Sequence, residues 1–598
     1  LIARFLLQHA TAASATRRST ALSAASLAVL LALAGCHTHT AGSGTTSSTA
    51  SAPATDHAKN DAMEQALHAD VAAAQLASLH WPNFSDYKTL VQSFYDQRGW
   101  DPAWVDDHKP TKQALALTRL FAMSASKGLN PDDYDASLWQ DRLAKLAGAS
   151  DQQVADFDTA MTVSAMRYVS DLHIGRVNPQ HFSFGVSVQT KKYDLPNFMV
   201  QQVVAAGDMD DAMKGVEPDS DGYRDTVKAL NHYQDLAKQV GDAAPLPVPT
   251  KPLTPGAPYA GADALSKQLA MLGDMDGGST APANSASGGY TQAISEGVKS
   301  FQSRNNLAPD GRLTPQTVAA LNVPLTVRVH QLQDTLERLR WLAPEYLNAP
   351  IAVNIPEFVL RAYGDDHKEE FHMKVVVGQA IQDDHKTPVL VQEMKYVVLR
   401  PYWNVTPTIV KKEIVPHVNA NKGYLEAKNF EVVDRTGKLV ENWSASGLEH
   451  GEYMVREKPG PKNSLGLVKF MFPNKLNIYL HSTPATQLFD QSKRDFSHGC
   501  VRLQEPEKLA DWVLRDKSDW DPDKIHDAME NGEDNKIVSL SHPIPVLIFY
   551  ETARVGDDGK VYFFNDIYGY DKDMEDVLAK GDPFPTAPEP KKVTGDTA

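Results

Sequence analysis

The chain has 598 residues, enough for about four domains at roughly 150 residues each. A hydrophobic fraction of 42% and a charged fraction of 22% are those of ordinary folded domains, which excludes a multi-span membrane protein and a largely disordered one. Acidic side chains outnumber Lys and Arg by 75 to 59, for a formal net charge of −16 at pH 7, so there is no basic surplus to neutralise phosphates and nucleic acid is not an expected partner.

Residues 1–36 contain Arg4, Arg17 and Arg18 and no acid. The run from Ala21 to Gly35 is uncharged and too short for an ordinary transmembrane helix, so the segment reads as a signal peptide. It ends Leu33-Ala34-Gly35-Cys36, which resembles a bacterial lipobox. The resemblance implies cleavage before Cys36, lipidation of that residue and anchoring to a membrane, with His37 after the cysteine favouring the outer one. Each buried CH₂ of an acyl chain contributes about 0.8 kcal/mol, so a multiply acylated Cys36 would hold the protein stably. Residues 37–60, rich in Ser, Thr, Ala and Gly, predict a disordered tether.

Residues 61–250 show helical spacing of apolar side chains, including Leu90, Phe94 and Tyr95, then Leu117, Leu120 and Phe121, then Met161, Val163, Met166 and Tyr168. They predict an all-helical domain. Between 251 and 324, a short helix at Leu265, Leu269 and Leu272 lies between loops rich in Pro and Gly. Ile294, Val298 and Phe301 share one face of the next helix, Asp310-Gly311 is a turn and Thr314 caps a further helix. The order Phe301-Gln302, Asn306-Leu307, Asp310-Gly311, Thr314, Ala320-Leu321-Asn322 resembles the small three-helix peptidoglycan-binding domain, with Leu313 where a glycine is usual. A connecting helix is expected over 325–345. From 346 to 572 the pattern becomes that of a β-rich domain, with strands at Ile351–Ile355, Phe358–Tyr363, Met373–Val377, Tyr396–Leu399, Leu476–His481, Val546–Tyr550 and Val561–Phe564 and a helix at Lys508–Leu514. His367 and His372 read as solvated turn and strand residues and not metal ligands. Residues 573–598 are expected to be a disordered tail.

The two cysteines are Cys36 and Cys500, so with Cys36 in the leader no intramolecular disulfide remains and Cys500 is a free thiol. A thiol attacks a carbonyl as its thiolate and needs a base. His498, two residues before Cys500 and on the same side of an extended segment, and His481, closing an apolar run, are both candidates. Gly499 lets the backbone approach a ligand closely, so the Gly499 and Cys500 N–H groups form a candidate oxyanion site. The sequence has neither zinc-ligand spacing nor a Gly-rich phosphate loop, so neither a metal nor an organic cofactor is expected.

His481 followed, after fifteen residues, by Ser497-His498-Gly499-Cys500-Val501-Arg502 resembles the signature of the L,D-transpeptidase (YkuD) catalytic domain. Flanking agreement comes from Val353-Asn354-Ile355-Pro356, Val375-Val376-Val377-Gly378, Pro401 to Val405, and Pro459-Gly460-Pro461-Lys462-Asn463-Ser464-Leu465-Gly466. Trp100 to Val105, Tyr168 to Pro179 and Asp566-Ile567-Tyr568-Gly569 resemble the large multidomain branch of that family, so the likeness spans most of residues 75–572. It implies a multidomain α+β protein with an all-α scaffold, a three-helix binding domain and a β-rich catalytic domain with a capping insertion at about 417–474. It further implies Cys500 as nucleophile, His481 as base oriented by the Ser482 carbonyl, His498 and Gly499 shaping the oxyanion hole, and Ser497 and Arg502 supporting the loop and a substrate carboxylate. Trp403 and Tyr479 would help build the cap over the cleft. The reaction implied joins peptidoglycan stem peptides by 3→3 cross-links through a thioester. Water as acceptor would make the enzyme an L,D-carboxypeptidase, and a lipoprotein lysine a protein-to-wall ligase. A cysteine peptidase acting on peptidoglycan would use the same residue types, and a degenerate catalytic fold would leave a non-catalytic wall-binding lipoprotein.

Overall fold

The computed structural model describes residues 54–580 apart from 183, 192, 242–243, 277–288 and 382–384. The leader with Cys36, most of the tether and the tail beyond 580 lie outside the described residues. Two edges differ from expectation. A helix over Ala54–Ala73 takes in the end of the segment read as a tether, because Ala-rich sequence runs straight into the first helical repeat. The helix Tyr570–Leu578 takes in the start of the tail, since the Asp566 carboxylate accepts the Asp571 N–H at 3.1 Å and Met574 is fully buried.

The scaffold is built around the helix Asp151–Ile174, which opens on a capping box between Ser150 and Gln153. That helix is buried on nearly every side, so its polar residues need internal partners. Asp158 accepts from the Ala103 N–H at 3.1 Å, the Trp104 N–H at 2.7 Å and the Tyr95 hydroxyl at 2.8 Å, which fixes the Trp100–Val105 segment. Strands β1 (Val105–Asp106) and β2 (Lys109–Pro110) form a small hairpin that the helical reading does not foresee.

The binding domain has three helices, Ala262–Met271, Gln292–Ser303 and Pro315–Leu321, the last two capped by Thr291 and Thr314. They enclose their own core of Leu265, Leu269, Ile294, Val298, Phe301, Val318 and Leu321, together with Leu313. Gln302 is structural: it donates to the Arg312 carbonyl at 2.9 Å and accepts the Gly311 N–H at 2.9 Å, clamping the turn. The helix Leu325–Trp341 then crosses the molecule, and its Glu337 carboxylate accepts the Val177 N–H of the scaffold at 2.8 Å.

The remaining strands are β3 (Ile351–Asn354), β4 (Val359–Tyr363), β5 (Glu369–Gly378), β6 (Leu390–Leu399), β7 (Trp403–Asn404), β8 (Phe430–Val433), β9 (Met454–Glu457), β10 (Val468–Met471), β11 (Leu480–His481), β12 (Asp495–Ser497), β13 (Val501–Leu503), β14 (Lys536–Phe549), β15 (Ala553–Val555) and β16 (Val561–Phe563). Nine of them form one mixed sheet in the order β12-β5-β13-β11-β10-β6-β14-β3-β4, and pairing of β4 with β5 closes it on itself. Strands β7, β9 and β8 make a separate sheet with its own core of Val405, Val410, Ile414, Val418, Leu425, Val432, Leu448 and Val455. This capping insertion runs from β7 to β9, earlier at both ends than 417–474, because β10 pairs with β6 and β11 in the main sheet. The strand expected from Leu476 begins only at Leu480, since the Asn474 side chain folds residues 474–478 into a turn by accepting from the Leu476 and Ile478 N–H groups.

Candidate active site

Strand alternation sorts the site. Phe470, Leu480 and Val501 are register partners on β10, β11 and β13 and are fully buried in the core. Their neighbours therefore face the other way, which brings Lys469, His481 and Arg502 onto one face. The Val501 N–H donates to the Tyr479 carbonyl at 3.2 Å, so Cys500 enters β13 beside Tyr479 and on the side that carries His481.

His481 is buried, and its Nδ1–H donates to the Ser482 carbonyl at 2.5 Å. A carbonyl only accepts, so Nε2 is left with its lone pair. Burial, with the charges of Arg502 and Lys469, pushes the imidazole down to about 3, against the pull of the Ser482 and Leu465 backbone. The Cys500 thiol is half-buried, 3.7 Å from the Asn477 carbonyl, and burial pushes it up to about 11. Tyr479, Arg502 and Lys469 act in the opposite direction. The resting pair is thus a thiol and a neutral imidazole. The Tyr479 hydroxyl interacts with the thiol on one side and with Trp403, at the start of the cap, on the other.

Two expectations change at the motif itself. Residues 498–500 form a bend, with Gly499 at φ +117°, in place of an extended segment. His498 consequently turns its Nε2 to Glu413 of the cap at 2.8 Å, and its ring packs 4.4 Å from that of His385. The Gly499 N–H donates to Ser497 Oγ at 3.1 Å and so is engaged within the loop. Ser497 also donates to the Cys500 carbonyl at 2.6 Å, closing the bend.

Sequence reasoning does not find a second support. Thr387 Oγ1 donates to the Gly499 carbonyl at 2.7 Å and accepts the Gly378 N–H at 2.8 Å. Tyr568 in turn donates to the Gly378 carbonyl at 2.7 Å and accepts the Thr387 N–H at 3.1 Å. A Cβ on Gly378 would fall 1.9 Å from the His385 carbonyl, so only glycine lets this loop close. Nothing in the run Lys386-Thr387-Pro388 signals the role of Thr387. Lys469 escapes it too. A lysine between Val468 and Phe470 in an apolar run is the signal that could have found it, once β10 is recognised as a strand with one face outside the core.

Among the described residues no cluster of His, Cys, Asp and Glu has the arrangement of a metal site. Residues 349–538 match the L,D-transpeptidase catalytic domain (YkuD), residues 89–230 the scaffold domain, and residues 262–321 the family described as "Putative peptidoglycan binding domain". A Haemophilus influenzae protein named "Putative L,D-transpeptidase" is 29% identical over 282 residues, covering 45% of this chain and 55% of that protein. The chain therefore matches about half the length of this curated relative. The catalytic-domain match contains both His481 and Cys500, and the other two fall on the helical regions described above: the chain belongs to the L,D-transpeptidase (YkuD) family, in the form that adds a scaffold domain and a peptidoglycan-binding insertion.

Proposed function

We propose that this chain is an exported, cysteine-dependent acyltransferase that joins peptidoglycan stem peptides by 3→3 cross-links, anchored to a membrane by lipid on Cys36. The observation that carries the reading is an imidazole on β11 and a thiol at the entry to the neighbouring β13, beside Tyr479, with the Nδ1–H of His481 committed to the Ser482 carbonyl and Nε2 available. Cys500 Sγ attacks the carbonyl at the L-centre of the diamino-acid residue of a donor tetrapeptide and gives its proton to His481 Nε2. The tetrahedral adduct collapses, the C–N bond breaks, and D-Ala leaves as an amine carrying that proton. A thioester remains. The side-chain amine of a second stem attacks it, passes a proton to His481 and forms the new amide as the C–S bond breaks; the thiolate then takes the proton back. With the Gly499 N–H held by Ser497, the Cys500 N–H is the motif amide that meets the oxyanion. No metal and no organic cofactor enters any step. The cap opens to admit substrate and closes through the Glu413–His498 contact and Trp403.

The test is product analysis with purified disaccharide-tetrapeptide. A dimer that fragments as a 3→3 link, with D-Ala released, is expected. Tripeptide with no dimer would reassign the activity to an L,D-carboxypeptidase, and unchanged substrate would overturn acyl transfer to this donor.

A further inference from the structure

One row of the closed sheet reads Lys469, His481, Arg502 across β10, β11 and β13. Register partners share a face, so Lys469 and Arg502 flank a buried imidazole. The two charges stand on one face with β11 between them, where they repel at longer range, and half-burial deepens the penalty. Among the described residues no acid relieves them. Arg502 Nε is buried without a hydrogen-bond partner, and the Lys469 ammonium lies 5.7 Å from the centre of the Tyr479 ring. Burial lowers both cations, and the group that pushes each back up is the thiolate form of Cys500. That thiolate is not the standing counter-charge, because burial keeps the thiol protonated at neutral pH. A half-buried pair of cations without an anion, beside the thiol, suits an anion that arrives with the ligand.

We propose that Lys469 completes, with Arg502, a cradle for the free carboxylate of the amino acid that leaves, and so determines which donors the enzyme accepts. The inference rests on the acyl-transfer reading above. In a peptide whose last amide bond is attacked, the terminal carboxylate belongs to the residue next to the reacting carbonyl, within the same patch as the thiol. A donor longer by one residue moves that charge about 3.5 Å farther along the chain, and a terminal amide removes it. Either change leaves the two cations without a counter-charge in the bound state, so the cradle rejects both.

The experiment compares kcat/KM of the full-length protein in detergent for three donors: the tetrapeptide with a free terminal carboxylate, the same peptide as its terminal amide, and the pentapeptide. Wild type is expected to prefer the free acid over the amide by about 30-fold. Lys469→Met is expected to reduce that ratio below about fivefold, and Lys469→Arg, which keeps the charge, to preserve most of it. Equal turnover of acid and amide by wild type overturns the proposal whatever the variants do. A Lys469→Met that loses both donors equally, with a shifted pH profile, also overturns it, because the lysine then acts on Cys500 or His481 and not on the ligand. Mass spectrometry of each protein after incubation with a carbapenem separates the two levels. Failure of wild type to acquire an adduct overturns the acyl-transfer reading together with the cradle, whereas a normal adduct without acid preference overturns the cradle alone.

Discussion

Asp158 at the centre of the scaffold and Arg502 in the catalytic sheet are both withdrawn from water, and their surroundings treat them in opposite ways. Asp158 in the middle of the scaffold helix Asp151–Ile174 has two backbone N–H groups and the Tyr95 hydroxyl turned onto its carboxylate. The thiol of Cys500 has the Tyr479 hydroxyl and a carbonyl 3.7 Å away, and Arg502 Nε has no hydrogen-bond partner. A saturated buried group holds segments together. An unsaturated row keeps its hydrogen-bonding and charge capacity for a ligand, and the protein tolerates the resulting loss of stability. The contrast separates the part of the chain that supports from the part that reacts.

Replacing groups in each region should therefore fail in different ways. His481→Gln is expected to reduce the rate of Cys500 acylation by about 100- to 10,000-fold with little change in thermal midpoint, since it removes the base and keeps a polar side chain. Stopped-flow acylation alongside calorimetry checks both halves, and a rate within a few-fold of wild type would contradict the assignment of the base. Asp158→Ala should do the reverse. It strands the Ala103 and Trp104 N–H groups in the core, costing about 3–5 kcal/mol, while the acylation rate per folded molecule is unchanged. Should urea unfolding show a loss under about 1 kcal/mol, the saturated network is not what holds that segment.

Thr387→Val lies between these cases. It preserves shape and removes the bonds to the Gly499 carbonyl and Gly378 N–H, so the nucleophile loop loses its second support. The expectation is a roughly tenfold fall in acylation rate, with affinity for the acylating ligand nearly constant. If affinity falls and the rate holds, Thr387 shapes the pocket and does not position the nucleophile.

The smallest effect is in pH dependence, and it too has opposite signs in the two regions. His481 is pushed from 6.5 down to about 3, so its folded form resists protonation. Its contribution to stability is complete above pH 6.5 and is lost as pH falls through the folded value. The acylation rate should accordingly show no acid limb between about pH 5 and 8, although an ordinary histidine would produce one near about 6.5. In the scaffold, burial raises Asp171 to about 7, and the Tyr134 hydroxyl only partly offsets it. Its contribution is complete below the ordinary carboxylate value of 3.8 and is lost as pH rises through about 7. Between about pH 5 and pH 8 the scaffold transition of wild type, followed by calorimetry, should therefore fall by more than that of Asp171→Asn. An equal fall in both proteins would contradict that sign.

Much of this is legible in the chain, for reasons that differ by element. His481 and Cys500 stand out because a local motif surrounds each, and the binding domain because Ile294, Val298 and Phe301 give one helix a clean apolar face and Thr314 caps the next. Strand β10 is hidden because Lys469 interrupts an apolar run and the turn at Asn474 obscures where the next strand begins. With β10 unplaced, the cationic row cannot be seen, since it exists only across three strands that are distant in sequence. Thr387 and Tyr568 are invisible for the same reason: each is an ordinary residue, and the two meet across nearly two hundred positions of chain. The bend at His498 is lost when strand alternation is carried through Gly499, whose positive φ ends it.

The most direct measurement is the intact mass of the purified protein after incubation with a carbapenem, for wild type and for Cys500→Ala, with the adduct located by peptide mapping. One drug-sized addition on wild type, mapped to the peptide that contains Cys500 and absent from the variant, is the predicted result. An unmodified wild type that is correctly folded, or an adduct that persists in Cys500→Ala, would contradict the assignment of Cys500 as the nucleophile.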